Sequence, residues 1–279
     1  MSLSKEQTNR YSRQLILPEI GVHGQERLLR ASVLIIGAGG LGCPAALYLA
    51  AAGVGTIGVM DEETVTLSNL HRQIVHTLDD VGQPKVFSVQ RHVQKRNPDA
   101  TVHAIHERLT VSNAPRYVQD YDLILDGSDN FSTRYLVNDA CVLYNKPLVH
   151  GAAIGFGGQL LTILPRQSAC VRCVFPEPPK PGAIPNCQEA GVLGSVTGIV
   201  GSLMAHEALK VLLKVGTPLT NRLLVVEGMR SRFREVLVRR DPACAVCGDH
   251  PTIRELRSIE ESVCANAHSS SLSASSAVE

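Results

Sequence analysis

The 279-residue chain is long enough for one large α/β domain or two small ones, and with 44% apolar residues it can bury a core. A formal net charge of +1 gives no support to bulk nucleic-acid binding, and no Trp with only 4% aromatic residues leaves few stacking surfaces for a single strand. The polar start MSLSKEQTNRYSRQ lacks a signal-peptide core, so eight Cys point to metal-bound or reactive thiols in a cytoplasmic setting rather than disulfides.

In chain order, residues 5–30 read as helical, broken at LILPEIG. A strand is expected over 33–37, a helix over 41–52, and a strand over 55–60 that ends at Asp61. Residues 41–60 carry no charge, but Gly53, Gly55 and Gly58 interrupt them, so they read as helix, turn and buried strand rather than a membrane span. After the irregular LSNLHRQIVH, Gly82 and Pro84 introduce a helix that reaches about Arg96 and stops at Asn97-Pro98. A strand at 101–106, a short helix near 113–119, the apolar strand of YDLILDGSDN, a helix over 131–145 and a strand in KPLVHGAAIG follow. Beyond 155 the pattern changes. GGQLLTILP reads as a strand, and FPEPPKPGAIPNC, with five prolines between 176 and 185, reads as an extended, mobile loop. Residues 189–214 read as one long apolar helix, RLLVVEG and SRFREVLVRRD as two charged strands, and the Ser-rich tail 258–279 as disordered.

The expected fold is α/β: a Rossmann-like, mostly parallel sheet with helices on both faces, continuing into antiparallel strands. Its expected parts are an N-terminal helical segment (1–30), a nucleotide-binding part (31–155), a carrier-binding and zinc-bearing part of the same domain (156–250), and the tail.

The glycine loop carries the first chemistry. Gly37 permits a tight turn, Gly39 a close approach of backbone to phosphate, and Gly42 close helix packing. The helix that follows offers free N–H groups to an anion, and Asp61 can accept from ribose hydroxyls. Arg72, Lys85 and the amide of Asn69 add cationic and polar groups that a dinucleotide site does not need but triphosphate chemistry does. Asp126 and Asp129 lie past the end of a buried strand. Asp129 suits a Mg²⁺ bridging phosphates, with capping of the next helix as its structural alternative.

Cys170-x-x-Cys173 and Cys244-x-x-Cys247 form two knuckles suited to a tetrahedral thiolate Zn²⁺ site, structural because no position is left for a catalytic water. Cys187 stands on the proline-rich loop without a C-x-x-C partner, a candidate reactive thiol. Cys43 and Cys141 read as buried and inert, and Cys264 lies in the tail.

RYSRQ, GAGGLG, DEETVTLSNLHRQ, GQPK, DGSDN, CVRC, PNC…GVLG and CAVC occur in order over roughly residues 5–248. Together they resemble the MoeB/ThiF/HesA family of ubiquitin-like-protein-activating adenylyltransferases, MoeB most of all. The resemblance implies a homodimer that uses ATP, Mg²⁺ and structural Zn²⁺ to adenylylate the Gly-Gly terminus of a small β-grasp sulfur-carrier protein. The molybdopterin-synthase small-subunit type is the first expectation; thiazole and tRNA-thiolation carriers are the alternatives. It assigns nucleotide contacts to Gly37, Gly39, Gly40, Gly42, Asp61, Asn69, Arg72, Gln73, Lys85, Asp129 and Asn130. It also implies an Arg13 that reaches the partner subunit's site, and a Cys187 that serves acyl or sulfur transfer. Glycines of the 189–214 helix would let the Gly-Gly tail pass, and a separate protein such as a cysteine desulfurase or rhodanese would donate sulfur. An NAD(P)-dependent oxidoreductase and a non-catalytic nucleotide-binding scaffold are the competing readings. No nucleic acid or membrane partner is expected.

Overall fold

Ser4 opens the first helix as one half of a capping box with Gln7. Helices α1 (Lys5–Arg10), α2 (Ser12–Leu15) and α3 (Gly21–Arg30) follow, and the Ile16–Ile20 stretch breaks them as expected from LILPEIG. The computed structural model describes residues 3–178 and 190–258. Cys187, Cys264, most of the proline-rich loop and the tail beyond Ser258 lie outside the described residues.

Among the described residues one sheet of eight strands forms. Its parallel part comprises β1 (Ser32–Ile36), β2 (Thr56–Met60), β3 (Thr101–Ile105), β4 (Leu123–Asp126) and β5 (Leu148–Ile154). Strands β6 (Gly157–Ile163), β7 (Arg222–Glu227) and β8 (Arg232–Leu237) add to β5 antiparallel, in the order β3-β2-β1-β4-β5-β6-β7-β8. β1 and β4 are almost wholly apolar because both their faces are covered. One face packs on α4 (Gly42–Ala52), α5 (Lys85–Arg96) and α9 (Gly194–Leu213). The other packs on α6 (Ala114–Gln119), α7 (Phe131–Leu143) and the one-turn α8 (Val171–Val174).

The uncharged stretch 41–60 divides into α4 and β2, and Gly53 ends α4 at φ +90. Among the described residues α9 alone is long and apolar enough to cross a membrane. It is a core helix, packed on β5, β6 and α4. Its start differs from the expected 189: Gly191 sits at φ +72, Val192 forms a parallel bridge with Gly155, and the helix begins at Gly194. The apolar run is continuous through 191–193, so hydrophobicity alone does not mark that boundary. Two of its glycines are also needed for packing. A methyl at Gly201 would overlap the Leu41 carbonyl oxygen, and one at Gly194 the His71 carbonyl oxygen, whereas Gly198 faces open space.

Gly42 shows how tightly the first turn of α4 closes on the glycine loop, since a Cβ there would overlap the Gly37 carbonyl oxygen. Backbone cannot retreat as a flexible side chain can. Gly42→Ala is therefore expected to cost about 3 kcal/mol of stability. A urea-unfolding midpoint equal to wild type would contradict this packing.

Candidate nucleotide cleft and cysteine centre

The strand order reverses between β1 and β4, and open α/β sheets bind ligands outside the carboxyl ends of strands at such a point. A cleft of about 970 Å³ opens there, bounded on its far side by Gly191, Val192 and Thr197 near the start of α9. It gathers Gly37, Gly39, Gly40, Asp61, Asn69, Arg72, Gln73, Lys85, Asp129 and Asn130 around one space. Arg13 does not line it, being exposed on α2. Gly42 lies just beneath, in α4.

The three loop glycines divide the work. Gly37 holds φ +94 beside the Gly127 carbonyl. Gly39 has open space on its Cβ side, with only Gln73 Nε2 at 3.7 Å, so backbone and ligand can approach closely. Gly40 lines the cleft and also packs: its Cβ position is 3.0 Å from Thr197 of α9, a contact that a side chain would crowd.

Asp61 accepts from Ala38 N–H at 2.8 Å through Oδ2 and from Glu63 N–H at 2.8 Å through Oδ1. Burial raises its pKa, against the opposing pull of the Lys85 ammonium. Each carboxylate oxygen keeps a second acceptor site for a hydroxyl. Lys85, at the start of α5 and only 3% exposed, pairs with the exposed Glu63. Arg72 donates from Nη1 to the Ser68 carbonyl at 2.9 Å and contacts His71 Nε2 at 2.8 Å. Asn69 closes a 3-10 turn over Leu67–Asn69 by accepting from Thr66 N–H at 3.1 Å. Gln73 is buried, and its Oε1 has no hydrogen-bond partner among the described residues, an acceptor left open beside the glycine loop.

Asn130, not Asp129, caps α7, accepting from Thr133 N–H at 2.8 Å. The structural alternative for Asp129 is thereby removed, and its carboxylate is exposed on the cleft wall. Asp126 lies behind it, fully buried. It accepts from Ser128 Oγ at 2.6 Å and Ser128 N at 3.0 Å, and pairs with His150 Nδ1 at 2.8 Å. Burial pushes its carboxyl up, but the His150 and Ser128 contacts outweigh this and hold it below the usual range. Two further cations, Arg108 and Arg134, line the cleft unforeseen; the Arg134 guanidinium donates to the Ser128 carbonyl at 3.2 and 3.3 Å and stacks on Phe131. The place of Arg134 in the first turn of α7, four residues after Asn130, was a signal available in the sequence.

His76 packs beneath the loop, its Nε2 3.1 Å from the Ala38 carbonyl and its Nδ1 2.8 Å from Ser88 Oγ. Burial lowers its pKa to about 4; the Ala38 bond opposes this, while Lys85 and His92 on α5 add to it, and Cys43 of α4 lies 3.7 Å away. The unfolded imidazole titrates near 6.5. The unfolded state therefore binds the extra proton between those values, and stability is complete above pH 6.5 and lost as pH falls through 4. Urea unfolding at pH 7.5 and 5 should show a His76-dependent loss of about 2 kcal/mol. The loss should be absent in His76→Gln; an equal loss there would refute the assignment.

The paired knuckles meet. Cys170 caps α8 at its N-terminus and Cys173 lies within it, and their Sγ atoms lie with those of Cys244 and Cys247 within 4.8 Å of one another. The separations are 3.9 Å for Cys170–Cys173, 3.7 Å for Cys170–Cys244 and 3.3 Å for Cys173–Cys247. Four thiolates around a tetrahedral ion with bonds of about 2.3 Å stand roughly 3.8 Å apart, so this cluster can hold a metal. Asp241 N–H donates to Cys173 Sγ at 3.4 Å, the outer contact such a ligand needs. Cys43 and Cys141 are buried, and burial pushes the Cys43 thiol up to about 12 and Cys141 well above its ordinary value. Both are inert.

A doubly wound sheet with a glycine loop, a cation-lined cleft at the strand reversal and a separate tetrathiol cluster defines a nucleotide-binding α/β protein. The chain belongs to the ThiF family, whose model matches residues 11–246. It is 53% identical over 261 residues to a protein named sulfur carrier protein adenylyltransferase from Thermus thermophilus, covering 92% of this chain and 96% of that one. It is 49% identical to the adenylyltransferase and sulfurtransferase MOCS3 of Anopheles gambiae, covering 93% of this chain but 59% of that protein. Among solved structures it resembles E. coli MccB with MccA-N7isoASN, at 25% identity and a TM-score of 0.77, over 86% of this chain and 75% of that one.

Proposed function

We propose that this chain adenylylates the C-terminal Gly-Gly carboxylate of a small ubiquitin-like sulfur-carrier protein. The observation that carries the reading is the convergence of Lys85, Arg72 and Arg134 with Asp129 in one cleft above the glycine loop. Hydride transfer has no use for several cations there, whereas expulsion of pyrophosphate does. The family membership and the names of the relatives support the same chemistry.

The carrier's carboxylate is ionised at pH 7 and attacks the α-phosphorus of ATP directly. An acyl–oxygen to phosphorus bond forms, the bond to the β-phosphate oxygen breaks, and pyrophosphate leaves with the electron pair. No side chain acts as nucleophile. Asp61 holds the ribose, with Asn69 and Gln73 beside it. Lys85 exchanges Glu63 for phosphate, and Lys85, Arg72 and Arg134 take up the charge that develops on the leaving group. Asp129 is the residue that would hold Mg²⁺, which when bound neutralises phosphate charge. The cysteine cluster would hold Zn²⁺ in a structural role.

Mixing the chain with ATP and a Gly-Gly carrier in the presence of pyrophosphatase should accumulate carrier-AMP, visible by intact mass, with no NAD requirement. Carrier that stays unmodified with every Gly-Gly partner of the same organism would end this reading. Arg13, exposed away from its own cleft, would act on the cleft of a second copy in a homodimer. Mixing inactive Arg13→Ala with inactive Asp129→Ala chains should restore up to about a quarter of wild-type activity, since one site of a mixed dimer is then intact. Absence of any recovery in verified mixed dimers would remove Arg13 from a shared site. Cys187 remains a proposal for the second step: Cys187→Ala should leave carrier-AMP formation unchanged and lower sulfur transfer.

A further inference from the structure

Ala38, at the centre of the glycine loop, is gripped from both ends. Its N–H donates to Asp61 Oδ2 at 2.8 Å, and its carbonyl oxygen faces His76 Nε2 at 3.1 Å and Cys43 Sγ at 3.3 Å. A carbonyl only accepts, so the His76 proton sits on Nε2, and Nδ1 is the acceptor for Ser88 Oγ–H at 2.8 Å. His76 is 5% exposed and Ser88 fully buried, so water does not replace these bonds. The bridge joins three separate pieces of the cleft: the glycine loop, the segment carrying Arg72 and Gln73, and α5, which begins with Lys85.

No peptide bond among the described residues is cis, and in a trans peptide the carbonyl and the following N–H point in opposite directions. Holding the Ala38 carbonyl on the protein side therefore turns the Gly39 N–H outward, toward the cleft that Gly39 lines. Among the described residues neither Gly39 N–H nor Gly40 N–H has a backbone or side-chain acceptor.

We propose that His76 is a positioning residue for nucleotide binding: its Nε2–H, by fixing the 38–39 peptide plane, holds the Gly39 amide aimed at phosphate. The proposal rests on the ATP reading above. Cys43 is the weaker second donor to the same carbonyl, and Ser88 selects the tautomer that lets His76 donate. The device costs no reorganisation when the nucleotide arrives, because the amide is already turned.

The test measures Mg-ATP affinity by calorimetry, together with KM for ATP and KM for the carrier. His76→Leu should weaken ATP binding by about ten- to hundredfold and raise KM for ATP by the same factor, leaving KM for the carrier unchanged. His76→Gln, which can return a donor to the Ala38 carbonyl, should stay within about threefold of wild type. Ser88→Ala should fall between, because the ring is then free to move its proton to Nδ1. A purely structural role would lower the active fraction of His76→Leu and move neither KM. Folded His76→Leu with wild-type ATP affinity, or folded His76→Gln as weak as His76→Leu, would overturn the proposal. If His76→Leu does not fold, unchanged ATP affinity in Ser88→Ala overturns it instead. Wild-type protein that binds no ATP would count against the nucleotide reading rather than against this one.

Discussion

Asp129→Ala is expected to lower carrier-dependent pyrophosphate exchange by about a thousandfold while the protein unfolds at its wild-type temperature. The two halves of that expectation come from different observations. Asn130 caps α7, and the buried Asp126–His150–Ser128 network holds the strand end, so the fold does not depend on the Asp129 carboxylate. The carboxylate is exposed in a cleft whose lining also carries Lys85, Arg72, Arg108 and Arg134 and the carboxylates of Asp61, Glu62, Glu63 and Glu107. An exposed carboxylate beside phosphates is repulsive unless a cation joins them, so removing it should improve nucleotide binding if no metal is used, and abolish catalysis if one is. Activity above a tenth of wild type at saturating Mg²⁺ would exclude the metal-holding role.

Loss of the cysteine centre should be the largest effect on stability. The cluster ties the segment after β8 to α8 at the edge of the core, and it sits in the same apolar cluster as Val246, Leu223 and Leu161. Structural zinc contributes on the order of 10 kcal/mol to folding, comparable with the whole stability of a domain. Purified protein should therefore carry one zinc per chain, and Cys244→Ser should fail to accumulate as folded protein. Chelation under mild denaturant should unfold wild type. Metal-free protein with an unchanged unfolding midpoint would contradict this.

Much of the fold is legible because buried parallel strands such as VLII and LILD are apolar throughout and end at glycines or aspartates. The paired C-x-x-C spacing fixed its partners because only tertiary closure makes use of four such thiols. The start of α9 was not legible, since Gly191–Leu193 is as apolar as the helix it precedes and only the φ of Gly191 breaks it. The α7 cap was ambiguous for a similar reason, because adjacent Asp129 and Asn130 are both good caps and register decides between them. His76 gave no signal, since a histidine in an irregular stretch shows no period. Its partners Ala38 and Ser88 lie 38 and 12 residues away in sequence. The packing role of Gly40 depends likewise on Thr197, far along the chain.

The glycine loop is proposed to serve adenylation. The most direct test is exchange of labelled pyrophosphate into ATP by the full chain, with and without a carrier protein ending in Gly-Gly. Exchange that requires the carrier, and vanishes when its terminal glycine is removed, is the predicted result. Exchange independent of carrier, or none with any Gly-Gly carrier of the same organism while NADH binds the cleft, would contradict it.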